Sequence, residues 1–245
     1  MARFLTANEV INRAAIGVGL RKVDNPVGST DDQSVQLLEL LNTAGQDLVE
    51  LNDWQTLKGE IAILTKEGDT GCYDLPADYS HLVDQTGWDH TNSVPITGPL
   101  SEQDVAYLEG RDLIANSIYN AYYVKNDQLC LFPAPPTIGQ DLRWKYIKRT
   151  WCQATANGEF KDAVTVGTDV IHYEPAMIVA FLKLMWREAK GFDTTAAATK
   201  FATTFLSRQG KDEGAGVLNA GGGGRGIPYI TPLRNTTDSW PWLAG

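Results

Sequence analysis

The residues of this 245-residue chain with types suited to chemistry are three histidines, three cysteines and one glycine run. His81 with Asp84, and Asp89 beside His90, have the makings of an acid/base pair or of part of a metal site, since an imidazole exchanges a proton near neutral pH and a carboxylate orients it. On that reading Asp84, Asp89 and His90 would serve a hydrolase. No second His or Cys stands at metal-ligand spacing from them, and neighbours of this kind arise readily by chance, so ordinary surface or hydrogen-bonded histidines are expected. His172 likewise has no Cys or second His at metal-ligand spacing. The glycine run 221–224 followed by Arg225-Gly226 lacks the Lys-Ser/Thr pair of a phosphate loop, and Pro228 blocks a following helix. It reads as a linker. No serine lies in a Gly-x-Ser-x-Gly elbow. Cys72, Cys130 and Cys152 are odd in number and widely spaced, which predicts reduced, buried thiols and no disulfide. No catalytic residue, metal site or cofactor is expected.

The aromatics Trp88, Tyr119, Tyr122, Tyr123, Trp144, Tyr146 and Trp151 fall in strand-like segments and could stack a sugar or a base. Strands favour aromatics for packing alone, so most of these are expected in the core. A formal net charge of −9 argues against wrapping of DNA phosphates, which needs clustered Lys and Arg; an acidic wall would let a moving duplex slide past, but from charge alone a merely soluble surface is the simpler reading. No run of about 18 apolar residues suggests a membrane span, and residues 1–20 lack the pattern of a signal peptide, so synthesis in a cytoplasm is expected.

The elements that must position these residues begin with one long helix, 30–54. Leu37, Leu41, Ala44, Leu48 and Leu51 recur at steps of four and three along one face, widened by Leu38, Leu40 and Val49. Thr30 and Gln33 read as its capping box, with Asp31 and Asp32 in the first turn. A shorter helix precedes it, with Thr6 and Glu9 as box partners and Val10, Ile11, Ala14, Ala15 and Val18 as its apolar face. After Trp54 the period changes: short strands are predicted at 60–64 and 72–75, an edge strand at 94–96 where proline cannot donate, and a helix capped by Ser101. A hairpin is predicted from 117–124 and 128–132 about the turn 125–127. The strand 141–147 alternates, with Leu142, Trp144 and Tyr146 on one face and Arg143 and Lys145 on the other.

Helical period returns at Pro175, where Met177, Ile178, Phe181, Leu182 and Trp186 leave little polar surface, and a last helix from about Asp193 carries Ala198, Phe201, Ala202, Phe205 and Leu206 on one side. The predicted fold class is α+β: a bundle of about four helices with a small antiparallel β domain inserted between the second and third. The expected divisions are a helical hairpin, 1–56; the inserted β domain, 57–170; a second helical pair, 171–213; and an extended, glycine-rich C-terminal arm, 214–245. Tyr229, Trp240 and Trp242 have no periodicity that would bury them within the arm, so they are expected against a partner or folded back on the chain.

The run LLNTAGQDLVELNDW ending at Trp54, YDLPADY at 73–79, TGW at 86–88, GPLSEQ at 98–103, LCLFPAPP at 129–136 followed by LRWKY, and MWREAKGFD ending at Asp193 carry a likeness across residues 6–209. In these the chain resembles the head-to-tail adaptor (connector) proteins of short-tailed bacteriophages, the group of tail tubular protein A and the tail accessory factor. The resemblance implies a non-enzymatic virion protein of the neck and tail, without cofactor or membrane. It implies a homo-oligomeric ring, a dodecamer of twelve copies below the portal protein, with double-stranded DNA passing through the channel without specific binding during packaging and ejection. The bundle would build the ring through Leu37, Leu41, Leu48, Trp54, Phe181, Trp186, Phe201 and Phe205. The sheet would face the distal tail (nozzle or tail tube) protein, and the arm would grip the portal through Arg225, Tyr229, Trp240 and Trp242. The arm is glycine-rich where some relatives carry a helix. The alternative from the residues is a tail-associated carbohydrate-binding module using Trp88 and Trp144.

Overall fold

After a two-residue strand β1 (Leu5–Thr6), helix α1 (Ala7–Gly17) starts at its predicted cap: Thr6 Oγ1 accepts from Glu9 N–H, and the Glu9 carboxylate accepts from Thr6 N–H. Two donors that the helix leaves orphaned are thereby satisfied. Helix α2 (Asp32–Leu51) is capped by Asp31 and not by Thr30, because the Asp31 carboxylate accepts from Ser34 N–H at 3.2 Å and places a full negative charge on the positive end of the helix. The computed structural model describes residues 3–110, 120–134, 136–155 and 158–212. The α2 stripe buries Leu37, Leu41, Ala44, Leu48 and Val49, but Leu51 is 50% exposed, in the final turn where Asn52 leads the chain away in extended form. Trp54 then folds back, and its indole N–H donates to the Leu48 carbonyl at 2.6 Å, filling one of the acceptors left open at the helix end.

The strands follow: β2 (Lys58–Leu64), β3 (Cys72–Asp74), β4 (Tyr79–Leu82), β5 (Trp88–Asp89) and β6 (Val94–Pro95), then α3 (Glu102–Gly110), β7 (Ala121–Lys125), β8 (Gln128–Phe132) and β9 (Asp141–Lys148). Ser101 caps α3, its hydroxyl accepting from Asp104 N–H at 3.1 Å. One sheet runs β2-β9-β5-β6, with β4 also on β9 and the proline-bearing β6 at its edge. In β9 the predicted alternation holds: Leu142, Trp144 and Tyr146 enter the core. A second sheet, β3-β8-β7, contains the predicted hairpin, with Asn126 and Asp127 at φ 51° and 58° forming its two-residue loop, the pair of positive φ values that a type I′ turn demands. Register in this sheet sets Cys72 opposite Cys130, and the two form a disulfide. This corrects the expectation of three reduced thiols: 58 residues separate the pair, and strand pairing alone brings their Cα atoms to 4.0 Å. Cys152 remains a free, buried thiol.

Strands β10 (Cys152–Gln153), β11 (Phe160–Lys161) and β12 (Val170–Ile171) join β1 in a third sheet, β1-β12-β10-β11. Two-residue strands are too short to show a period, so this sheet was not predicted. Helix α4 (Pro175–Ala189) opens with proline, whose missing N–H costs nothing there, and α5 (Thr195–Asp212) lies against it. On α5 the expected stripe splits. Phe201 and Phe205 pack inward and Phe201 stacks on Phe181 at 4.4 Å, whereas Ala198 and Ala202 stay exposed and Leu206 is 65% exposed. Residues 198, 202 and 206 form their own row at steps of four, turned away from the row 201 and 205 that meets α4. The fold class is α+β as predicted, with antiparallel strands in three small sheets in place of the one sheet expected.

Two cores result. The larger gathers α1, α2 and α4 with Trp54, Trp151, Ile171 and Tyr173, and the smaller gathers Ile61, Ile63, Ile96, Tyr122, Leu129, Leu131, Leu142, Trp144 and Tyr146 between the first two sheets.

Candidate functional site

The candidate acid/base residues are used structurally. Asp89 is fully buried, and its two oxygens accept from Thr91 N–H at 2.8 Å, Asn92 N–H at 3.0 Å, the Asn92 amide at 2.7 Å and the Gln140 amide at 2.9 Å. Four donors occupy the lone pairs a general base would need, and the carboxylate locks the turn after β5. His90 beside it is exposed. His81 pairs with Asp53 at 3.0 Å and not with Asp84, a partner 28 residues away that sequence neighbourhood does not reveal. Among the described residues no group of three or more His, Cys, Asp or Glu could hold a metal ion. Burial, with Asp169 and Asp162 nearby, pushes the Cys152 thiol up to about 12, so it carries no thiolate near neutrality.

His172 sits between the rings of Phe4 and Phe160, at 4.9 and 5.1 Å, with Nε2 3.1 Å from the Gln153 amide oxygen. Burial lowers its pKa below the ordinary 6.5. Asp169 was not singled out by the sequence. Burial works to raise its pKa, yet the net direction is down, because Oδ2 accepts from the Lys161 ammonium at 2.7 Å and from Thr165 and Val166 N–H at 2.9 and 3.0 Å. Through its own carbonyl Asp169 also holds Ala7 N–H at 2.8 Å, tying the loop to the start of α1. Asp169 thus holds a loop, and His172 lines a small cleft with Phe4, Thr56 and Glu174.

Among the described residues the aromatics do not form a platform. Tyr122, Trp144 and Tyr146 are buried, with Trp144 edge-on to Tyr122 at 5.6 Å, and Trp88 is 40% exposed. Tyr123 is half-buried, and Tyr119 lies outside the described residues. Trp151, grouped by its strand-like surroundings with the sheet, belongs to the helical core. It stacks on Tyr173 at 6.1 Å, and its indole N–H donates to the Asp162 carbonyl at 2.7 Å. Gly45 in the middle of α2 exists for this ring: a Cβ there would stand 2.2 Å from the indole. The Tyr173 hydroxyl donates to the Gly45 carbonyl at 2.9 Å. From Tyr173 the contacts run edge-on to Trp54, at 6.2 Å, and edge-on from Trp54 to Phe205, at 5.8 Å, then to Phe201 and Phe181. One aromatic ladder thus runs from Trp151, just before β10, to α5 and α4. An interior helix glycine was the visible signal for it.

Of the residues assigned to bundle packing, Leu37, Leu41, Leu48, Trp54 and Trp186 are buried, while Phe181, Phe201 and Phe205 are half-buried on the same cluster. Arg225, Tyr229, Trp240 and Trp242 lie outside the described residues, as does the glycine run. Among the described residues no helix is long and apolar enough to cross a membrane.

The wet face of the first sheet is internally neutralised. Glu60 on β2 accepts from Lys145 and from Arg143 at 3.3 Å, and Arg143 also reaches Asp141 at 2.7 Å. Compared with known proteins, residues 5–223 match the family model described as SU10 adaptor protein. No curated protein matches the chain.

Proposed function

The chain belongs to the SU10 adaptor protein family, and from that premise we propose that it is a structural protein of a phage virion, a head-to-tail adaptor that forms a ring of twelve copies below the portal. The family match carries this reading, since it spans both helical pairs and the strands between them. In this reading the helical pairs, 1–56 and 171–213, build the ring and the segment 57–170 meets the distal nozzle or tail-tube protein. The arm, 214–245, grips the portal through Arg225, Tyr229, Trp240 and Trp242. The net charge of −9 suits a channel through which DNA moves during packaging and ejection without being held. The satisfied carboxylate of Asp89 and the buried Trp144 agree with a scaffold in which polar and aromatic groups keep shape.

The test is the mass of the full chain, alone and mixed with a candidate portal ring, by native mass spectrometry. A multiple of the chain bound to the portal is expected, and truncation after residue 213 should abolish portal binding without changing the melting temperature. A chain that stays monomeric beside its portal, or a truncated chain that still binds, would overturn the ring or the arm reading respectively.

A further inference from the structure

Helix α2 carries acidic residues and no Lys or Arg. The solvent face of α2 carries Asp32, Glu39, Asp47 and Glu50, all exposed, and among the described residues none of these four ion-pairs with a Lys or Arg. Burial and then the neighbouring Glu50 raise the Asp47 pKa, as expected of like charges left uncompensated. The row is bracketed by exposed apolar residues, Val35 at 44% and Leu51 at 50%.

A groove of about 280 Å³ lies where the end of α1 meets α4 and the first turns of α5. Its lining includes the small residues Ala176, Ala180, Ala196 and Ala197, with Lys183 lying over Gly17, and its charged lining is Lys183, Arg187 and Lys200. Among the described residues Lys183 and Lys200 form no ion pair, and the hydrogen bond of Arg187 goes to the Asp193 backbone carbonyl at 3.3 Å. Three cations therefore converge on one concave surface of a chain whose net charge is −9. Helix α4 packs against both α2 and α5, so the two surfaces lie on different faces of the helical layer: the acidic row is turned away from α4, and the groove is formed on α4 by α5.

Two complementary patches on different faces of one chain pair head to tail between copies, and such heterologous contacts close into rings when the rotation allows. We propose that this pairing is the subunit interface: the carboxylate row of α2 from one copy seats on the Lys183, Arg187 and Lys200 groove of the next. The inference rests on the ring assembly proposed above. The alanines of the lining let the incoming helix approach closely, and the unpaired charges supply orientation and register more than bulk affinity.

Charge reversal tests it in the full chain. Lys183→Glu with Lys200→Glu should weaken self-assembly at least tenfold by native mass spectrometry, both alone at high concentration and on the portal ring, with melting temperature and circular dichroism unchanged. Glu39→Lys with Asp47→Lys should do the same, and the chain carrying all four changes should assemble again. Variants that assemble like the wild type, or a fourfold variant that stays apart, would overturn the interface while leaving the ring reading intact. A wild-type chain that forms no ring in either setting would overturn the ring reading and this inference with it.

Discussion

On the outer face of the first sheet, Arg143 and Lys145 of β9 meet Glu60 across the strand pair and Asp141 along the strand, whereas on α2 four carboxylates and on the α4–α5 groove two lysines meet no opposite charge among the described residues. Antiparallel register explains the first surface, since Glu60 stands directly opposite Lys145 and opposite charges so placed attract. On that face the charges are paired, beside the exposed apolar Leu64 and Trp88. The helices show the other condition. Their buried sides are joined by a continuous aromatic ladder, yet their outer sides retain unneutralised charge and exposed apolar residues such as Leu206. The difference is in charge, answered within the chain on the sheet and left open on the helices, where it suits association.

The largest effect is expected from Trp151→Ala, which empties the middle of the helical core above Gly45 and should cost about 3–5 kcal/mol in urea unfolding; a loss under about 1 kcal/mol would deny that the core is organised on this ring. Next, reducing the Cys72–Cys130 bridge frees a loop of 58 residues. Chain entropy sets the contribution at about 4 kcal/mol or less, so dithiothreitol should lower the melting temperature of the wild type and leave Cys130→Ala unmoved. Equal melting curves with and without reductant would remove the bridge from the account of the sheet.

Acid should reach the two regions at different pH. His172 has a lowered folded pKa, so between that value and 6.5 the unfolded chain binds a proton that the folded chain does not. Stability contributed by neutral His172 is present above 6.5 and falls as pH drops through this window. His172→Gln should flatten that slope in thermal melts, and an unchanged slope would place the titration elsewhere. Glu60 behaves differently: the Lys145 hydrogen bond, against a smaller effect of burial, lowers its pKa from 4.5, so its contribution is full above 4.5 and is lost as pH falls through its folded value. The smallest effect, about 0.5 kcal/mol near neutrality, is expected for Glu60→Gln, because the pair is more than one-third exposed and screened by solvent. A loss above about 2 kcal/mol would make the wet face part of the stabilising structure and erase the distinction drawn from it.

The amino-acid sequence determined the parts whose signals lie within a few consecutive residues. The Thr6–Glu9 box, the stripe Leu37, Leu41, Ala44 and Leu48, the alternation of β9, the hairpin turn at Asn126-Asp127 and the α+β class could all be read from spacing, since helix and strand periods and capping are local. Even locally there was competition, and Asp31 displaced Thr30 as the cap because a carboxylate answers the helix dipole as well as the open N–H groups. Tertiary structure decided what depends on meeting across the chain: Cys72 with Cys130, Asp53 with His81, Gln140 with Asp89, and Trp151 over Gly45. Those partners are 28 to 106 residues apart, taking 151 minus 45 for the longest. Strand register and helix packing choose among many chemically equivalent candidates, and the energy that makes the choice belongs to the assembled core, where each contact exists only once the others have formed.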